Sequence, residues 1–122
     1  MAGTLTISTL SDGTNSTSTT NLVRAACYAW AKWNGSGGVS GITSYNVSSI
    51  TRSGAGSYAV AFTNALTDAN YVVAGSGNDS ATTFIVAPSS VTVPTASTCQ
   101  ITVDNGSASS GDNSRVSVLF LR

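Results

Sequence analysis

Apolar and small polar residues alternate along most of this chain, in short runs separated by Gly, Asn and Pro. A period of two sends successive side chains to opposite faces, which is the pattern of half-buried β-strands. The runs fall at residues 4–10, 22–33, 42–50, 57–63, 71–74, 82–87, 98–104 and 115–122. Within 57–63, Tyr58, Val60 and Phe62 share one face and Ala59 and Ala61 the other, and within 115–122, Val116, Val118 and Phe120 share a face. Residues 22–33 are rich enough in alanine for a helix. Read with period two, however, the segment places Tyr28 and Trp30 on one side and Cys27, Ala29, Ala31 and Trp33 on the other. The Asn34-Gly35 turn dipeptide and the β pattern around it select a strand. Residues 29–73 hold both tryptophans and three of the four tyrosines, and form the expected packed centre.

Between the runs stand the turns. Residues 35–41 are a glycine-rich loop with no lysine and no following helix, so they do not form a phosphate-binding loop. Residues 53–56 read as a hairpin turn, 64–70 as a connection, 75–80 as a turn and 105–114 as a long polar hairpin loop. On this reading Asn78, Asp79, Asn105, Asp112 and Asn113 lie on outward loops. Pro88 and Pro94 bracket a bend or an edge. Residues 11–21 contain no apolar side chain. Residues 1–21 therefore read as an arm, either one that orders by adding a strand to a neighbour or a terminus with no role. The fold expected is an all-β antiparallel sandwich of jelly-roll-like form over residues 22–122, preceded by that extended N-terminal arm.

Composition narrows the function. At 122 residues the chain is one domain. Only 8% of its residues are charged, against roughly 25% in ordinary globular proteins. Five basic residues balance five acidic ones and are scattered, so there is no footprint for nucleic acid or for an anionic membrane surface. No apolar stretch approaches the roughly 20 residues of a membrane helix. The chain has no His, no Glu and a single Lys, which removes the commonest general base and metal ligand and points to a non-enzymatic protein with no cofactor. Asp104, Asn105, Asp112 and Asn113, and separately Asn78 with Asp79, could offer oxygen ligands to Ca²⁺, but the EF-hand spacing and its Glu are missing and turn chemistry explains them better. Cys27 and Cys99 read as buried free thiols ahead of one disulfide. Residues 1–10 lack the basic start and apolar run of a secretory signal, so synthesis in the cytoplasm is expected.

The words AWAKWNGSG and SYNVSSITRSGAGSYAVAFTNALTDANYVV, at residues 29–37 and 44–73, resemble a small β module of tailed-bacteriophage structural proteins, especially those of marine phages. Its members run A-W-V-x-F-N-G-x-G and then N-V-S-S-I-T-D, followed by Y-x-V-x-F and D-A-N-Y. The chain departs from that pattern at Lys32 and Trp33, where the module has Asn and Phe, and at Arg52, where it has Asp. The resemblance implies a virion component without catalytic residues that assembles as a homotrimer on the particle surface. The expectation is a capsid decoration protein that touches the major capsid protein and stabilises the shell. A tail-fibre or tail-tip subunit contacting host-surface polysaccharide is the alternative, and a lectin-like carbohydrate-binding module a third. Leu5 and Ile7 on the arm, with Arg24, Tyr28 and Trp30, are the candidate interface residues, since aromatics and Arg are enriched in interfaces.

Overall fold

The alternating runs pair into antiparallel strands throughout. A computed structural model of the chain describes residues 3, 6–19, 27–79, 82–90, 92–104 and 111–121. Two short strands, β1 (Thr9–Ser11) and β2 (Ser16–Ser18), make a separate two-stranded sheet. Eight more form the body: β3 (Cys27–Asn34), β4 (Ser40–Tyr45), β5 (Val47–Gly54), β6 (Ser57–Phe62), β7 (Val72–Asp79), β8 (Thr82–Pro88), β9 (Thr98–Asp104) and β10 (Arg115–Leu121). They pair in the order β4-β3-β10-β7-β8-β9-β6-β5. The protein is all-β and antiparallel, in agreement with the sandwich expected.

The strand order sets a geometric condition. The two edge strands, β4 and β5, are consecutive in the chain and joined by Asn46 alone. One residue spans only about 3.5 Å, so the sheet folds over until its first and last strands meet. The halves β4-β3-β10-β7 and β8-β9-β6-β5 then face each other, and inward side chains fill the space between them. Ala29, Ala31 and Trp33 of β3, Val116, Val118 and Phe120 of β10, Tyr58, Val60 and Phe62 of β6, and Cys99, Ile101 and Val103 of β9 are all buried. Two aromatic contacts tie the halves. Trp33 meets Tyr58 edge-on with ring centres 5.4 Å apart, and Phe120 meets Phe62 at 4.9 Å with Tyr71 beside both. Such pairs add about 0.5–1.5 kcal/mol each beyond the area they bury.

Asn46 closes the corner. It has a positive φ of 54°, a conformation that Asn tolerates better than most residues. Its Nδ2 donates to the Tyr28 carbonyl of β3 at 3.2 Å and to the Asn64 carbonyl beyond β6 at 3.1 Å. Its Oδ1 accepts from the Asn64 backbone N–H at 2.8 Å, and its own carbonyl accepts from Thr63 N–H at 3.2 Å. The side chain thus reaches both halves at the point where neither edge strand has a further neighbour.

Several sequence expectations change here. The run at 42–50 is two strands on opposite edges, because the left-handed turn at Asn46 redirects the chain. The expected turn at 75–80 is strand: β7 continues to Asp79, with Asn78 paired to Arg115 and Thr83. Residues 11–19 are not featureless. Asp12-Gly13 makes a turn in which Asp12 Oδ1 accepts from the N–H groups of Thr14 and Asn15, and the Ser/Thr run after it pairs back onto β1. Both cysteines are free thiols.

Replacing Asn46 with Gly keeps the backbone conformation but removes four side-chain bonds, and is expected to lower the unfolding free energy by about 1–2 kcal/mol. Asn46→Ala should cost about 1 kcal/mol more, through the left-handed backbone. Urea unfolding of the two variants measures both.

Candidate functional site

The body has two ends and two outer faces, and they differ in chemistry. At the end opposite Asn46, the segment 111–114 folds inward between the halves. Asp112 accepts hydrogen bonds from Arg52 Nε at 2.8–2.9 Å, from the Gly56 N–H at 3.0 Å and from Tyr58 Oη at 2.9 Å, and Arg52 Nη2 lies 2.7 Å from it. These bonds, led by the one from Arg52, hold the Asp112 carboxyl at about 2, below the usual carboxylate range. Burial, reinforced by the Asp112 bond, pushes the Tyr58 hydroxyl up. Asn113 is fully buried; its carbonyl accepts from the Gly35 N–H at 2.8 Å and its amide donates to the Gly111 carbonyl at 3.0 Å. Gly56 turns with φ 63° where a Cβ would strike the Gly111 N–H and the Val103 carbonyl, so only glycine fits. Trp33 Nε1 and Asn113 Oδ1 are buried without a hydrogen-bond partner among the described residues.

This cluster corrects the expectation that Asp112 and Asn113 face outward. They plug one end of the core and tie β5, β6 and the approach to β10 together. Arg52 is the cation that fixes Asp112. Held by an arginine, a tyrosine hydroxyl and a backbone N–H, the Asp112 carboxylate ties β5 and β6 to the segment that leads into β10.

The outer face of β4-β3-β10-β7 is the surface without such closure. Register places Tyr45, Trp30, Leu119 and Ala74 opposite one another in one row across the four strands. Trp30 is 39% exposed, Tyr45 59% and Leu119 36%, and Val72 of β7 is exposed on the same face one register step away. The next row holds Thr43, Lys32, Ser117 and Ser76, and Arg115 lies beyond it. Between β3 and β7 the small residues of β7 and β10 leave a shallow trough of about 380 Å³, with Trp30, Lys32, Ala74, Ser76, Ser117 and Leu119 on its walls. The outward positions of these strands carry the cations Lys32 and Arg115, and β3, β4 and β10 contain no acid.

Of the five candidate interface residues the structure describes three, and it separates them. Trp30 is on this outer face and Ile7 is exposed on the N-terminal hairpin. Tyr28 is part-buried against the core beside Asn46, because an irregularity in the β3–β10 register near Cys27 interrupts the alternation. Leu5 and Arg24 lie outside the described residues, as does Asn105. Asn78 and Asp79 sit in β7, not in a loop. Leu119 was not singled out from sequence; its signal was a leucine on the polar side of an alternating run. Among the described residues no group of three or more His, Cys, Asp or Glu is placed to hold a metal ion.

Comparison with protein-family models, with curated proteins and with solved structures finds no match to this chain.

Because the Asp112 carboxyl titrates below its unfolded value of about 3.9, the charged form is the one favoured by folding. Its contribution is complete above about pH 5 and is lost as pH falls towards 2. Asp112→Asn should therefore unfold at lower urea than the native chain at neutral pH, with the gap closing between about pH 4 and 2. A gap that stays constant over that range contradicts the assignment.

Proposed function

We propose that this protein is a non-enzymatic structural component of a tailed-phage particle, a homotrimeric decoration subunit on the capsid that stabilises the shell. The assembly part of this reading is carried by one observation: an apolar row of Tyr45, Trp30, Leu119 and Ala74 lies uncovered on a body whose charged and amide side chains otherwise close the fold. Contiguous exposed apolar patches mark interaction surfaces, whereas single exposed side chains do not. The virion part rests on the resemblance of residues 29–73 to phage modules, with Asn46 through Thr51 and Tyr58, Val60 and Phe62 at the module's spacing.

The fold suits that role in a physical sense. The edge strands β4 and β5 meet at Asn46, so the body shortens the exposed edges by which β proteins aggregate. Contacts between copies then fall to a face, where side chains decide which partner fits. The major capsid protein is the second partner in this reading. A tail-fibre subunit reading host-surface polysaccharide is the alternative favoured by Trp30 and Tyr45, two exposed aromatics adjacent across β3 and β4, because aromatic faces stack on sugar rings.

Light scattering on the purified chain should give three times 12.2 kDa. Trp30→Ser should shift that mass to 12.2 kDa while changing thermal stability little, since the side chain is partly exposed. A native chain that stays monomeric at high concentration overturns the reading. Quantitative gels of whole particles should show copies on the order of hundreds for a decoration protein, whereas units to tens would move it to the tail.

A further inference from the structure

The N-terminal hairpin and the uncovered face have complementary chemistry. The hairpin is a two-stranded sheet on its own, and such pairs are marginal in water unless a further surface covers them. None of its described residues, 6–19, is buried, and Ile7 and Leu10 stand 43% and 49% exposed. Those two, with Trp30, Tyr45, Leu119 and Val72 of the face, account for six of the eight large apolar side chains exposed among the described residues; the others are Ile42 and Val93.

Charge matches as well. Asp12 at the hairpin tip accepts from the N–H groups of Asn15 and Thr14 through Oδ1 and from Asn15 Nδ2 through Oδ2, bonds that favour the charged form of its exposed carboxyl. On the face, Lys32 and Arg115 have no charged side-chain partner among the described residues, and β3, β4 and β10 contain no acid. The spacing agrees too. Leu10 on β1 and Asp12 in the turn after it are two residues apart in sequence, and so are Trp30 and Lys32 on the outer side of β3, where the repeat is roughly 6.5–7 Å.

We infer that the N-terminal hairpin of one copy seats on the outer β4-β3-β10-β7 face of a second copy, with Leu10 in the trough beside Trp30 and Leu119 and Asp12 against Lys32. This rests on the self-assembly reading above and names what covers the face. Apolar contact supplies the attraction, and the Asp12–Lys32 pair fixes which way the arm lies, the task that rim charges perform in interfaces.

Charge exchange on the full chain tests it. At low salt, Asp12→Lys and Lys32→Asp should each weaken assembly about tenfold by concentration-dependent light scattering, and the chain carrying both changes should recover it. Asp12→Asn, which keeps the turn-forming oxygen, should weaken assembly without altering the hairpin. Mixing a Leu10→Cys chain with a differently sized, tagged Leu119→Cys chain under mild oxidation should give a covalent pair between the two. If Trp30→Ser dissociates the assembly while neither charge reversal does, copies meet through the face without the arm; the inference fails and the self-assembly reading stands. If the cross-link forms only within a chain carrying both cysteines, the arm covers its own face, which also overturns the inference.

Discussion

A single asparagine joins the first and last strands of an eight-stranded sheet, and most of the architecture depends on that closure. With one residue between β4 and β5, the sheet must fold over, and the two inner faces must supply a core of matched depth. Asn46 meets the backbone demand through its tolerance of positive φ and the hydrogen-bonding demand through an amide that reaches Tyr28 on one half and Asn64 on the other. An apolar residue at the same place would leave the Tyr28 carbonyl and the Asn64 backbone groups without this partner at a part-exposed corner.

The opposite end is closed by a different device. There Asp112 collects Arg52, Tyr58 and the Gly56 N–H, and Asn113 is buried behind it, so the long connection from β9 to β10 is pinned across both halves. Polar residues are thus spent on the two ends, and the aromatic pairs Trp33–Tyr58 and Phe62–Phe120 lie between them. What remains for recognition is the outer side of β4-β3-β10-β7. Its apolar row and two cations contribute nothing to the core, which makes them free to act on another surface.

Much of this was legible in the sequence. The alternation in 57–63, 98–104 and 115–122 gave strands with the right inward faces, because in those strands one face is buried along its whole length. The split at Asn46 was hidden inside a run that looks continuous, since the residues on both sides have β character and only the topology sends them to opposite edges. Residues 75–79 read as a turn because Gly, Ser and Asn dominate them. In the fold Gly75 lies where a Cβ would meet the Ser117 backbone and Val86, so small residues are required by close packing and not by a turn. Asp112 and Asn113 read as loop residues for a similar reason: composition registers polarity, whereas their roles come from Arg52 and Tyr58, some 60 and 54 residues away. The exposure of Trp30 on the outer face could be read from the alternation in β3, but its neighbours Tyr45 and Leu119 become a row only once β3, β4 and β10 are paired.

The central claim is that this outer face is covered when copies assemble, and Trp30 reports on it directly. Of the two tryptophans, Trp33 is buried in the core and Trp30 stands on the face. Acrylamide quenching of tryptophan emission, followed as protein concentration is raised through the assembling range, should fall as Trp30 becomes shielded and level off once assembly is complete. Quenching that stays the same at every concentration, while the mass of the particle rises, would mean that copies meet elsewhere and would contradict the account.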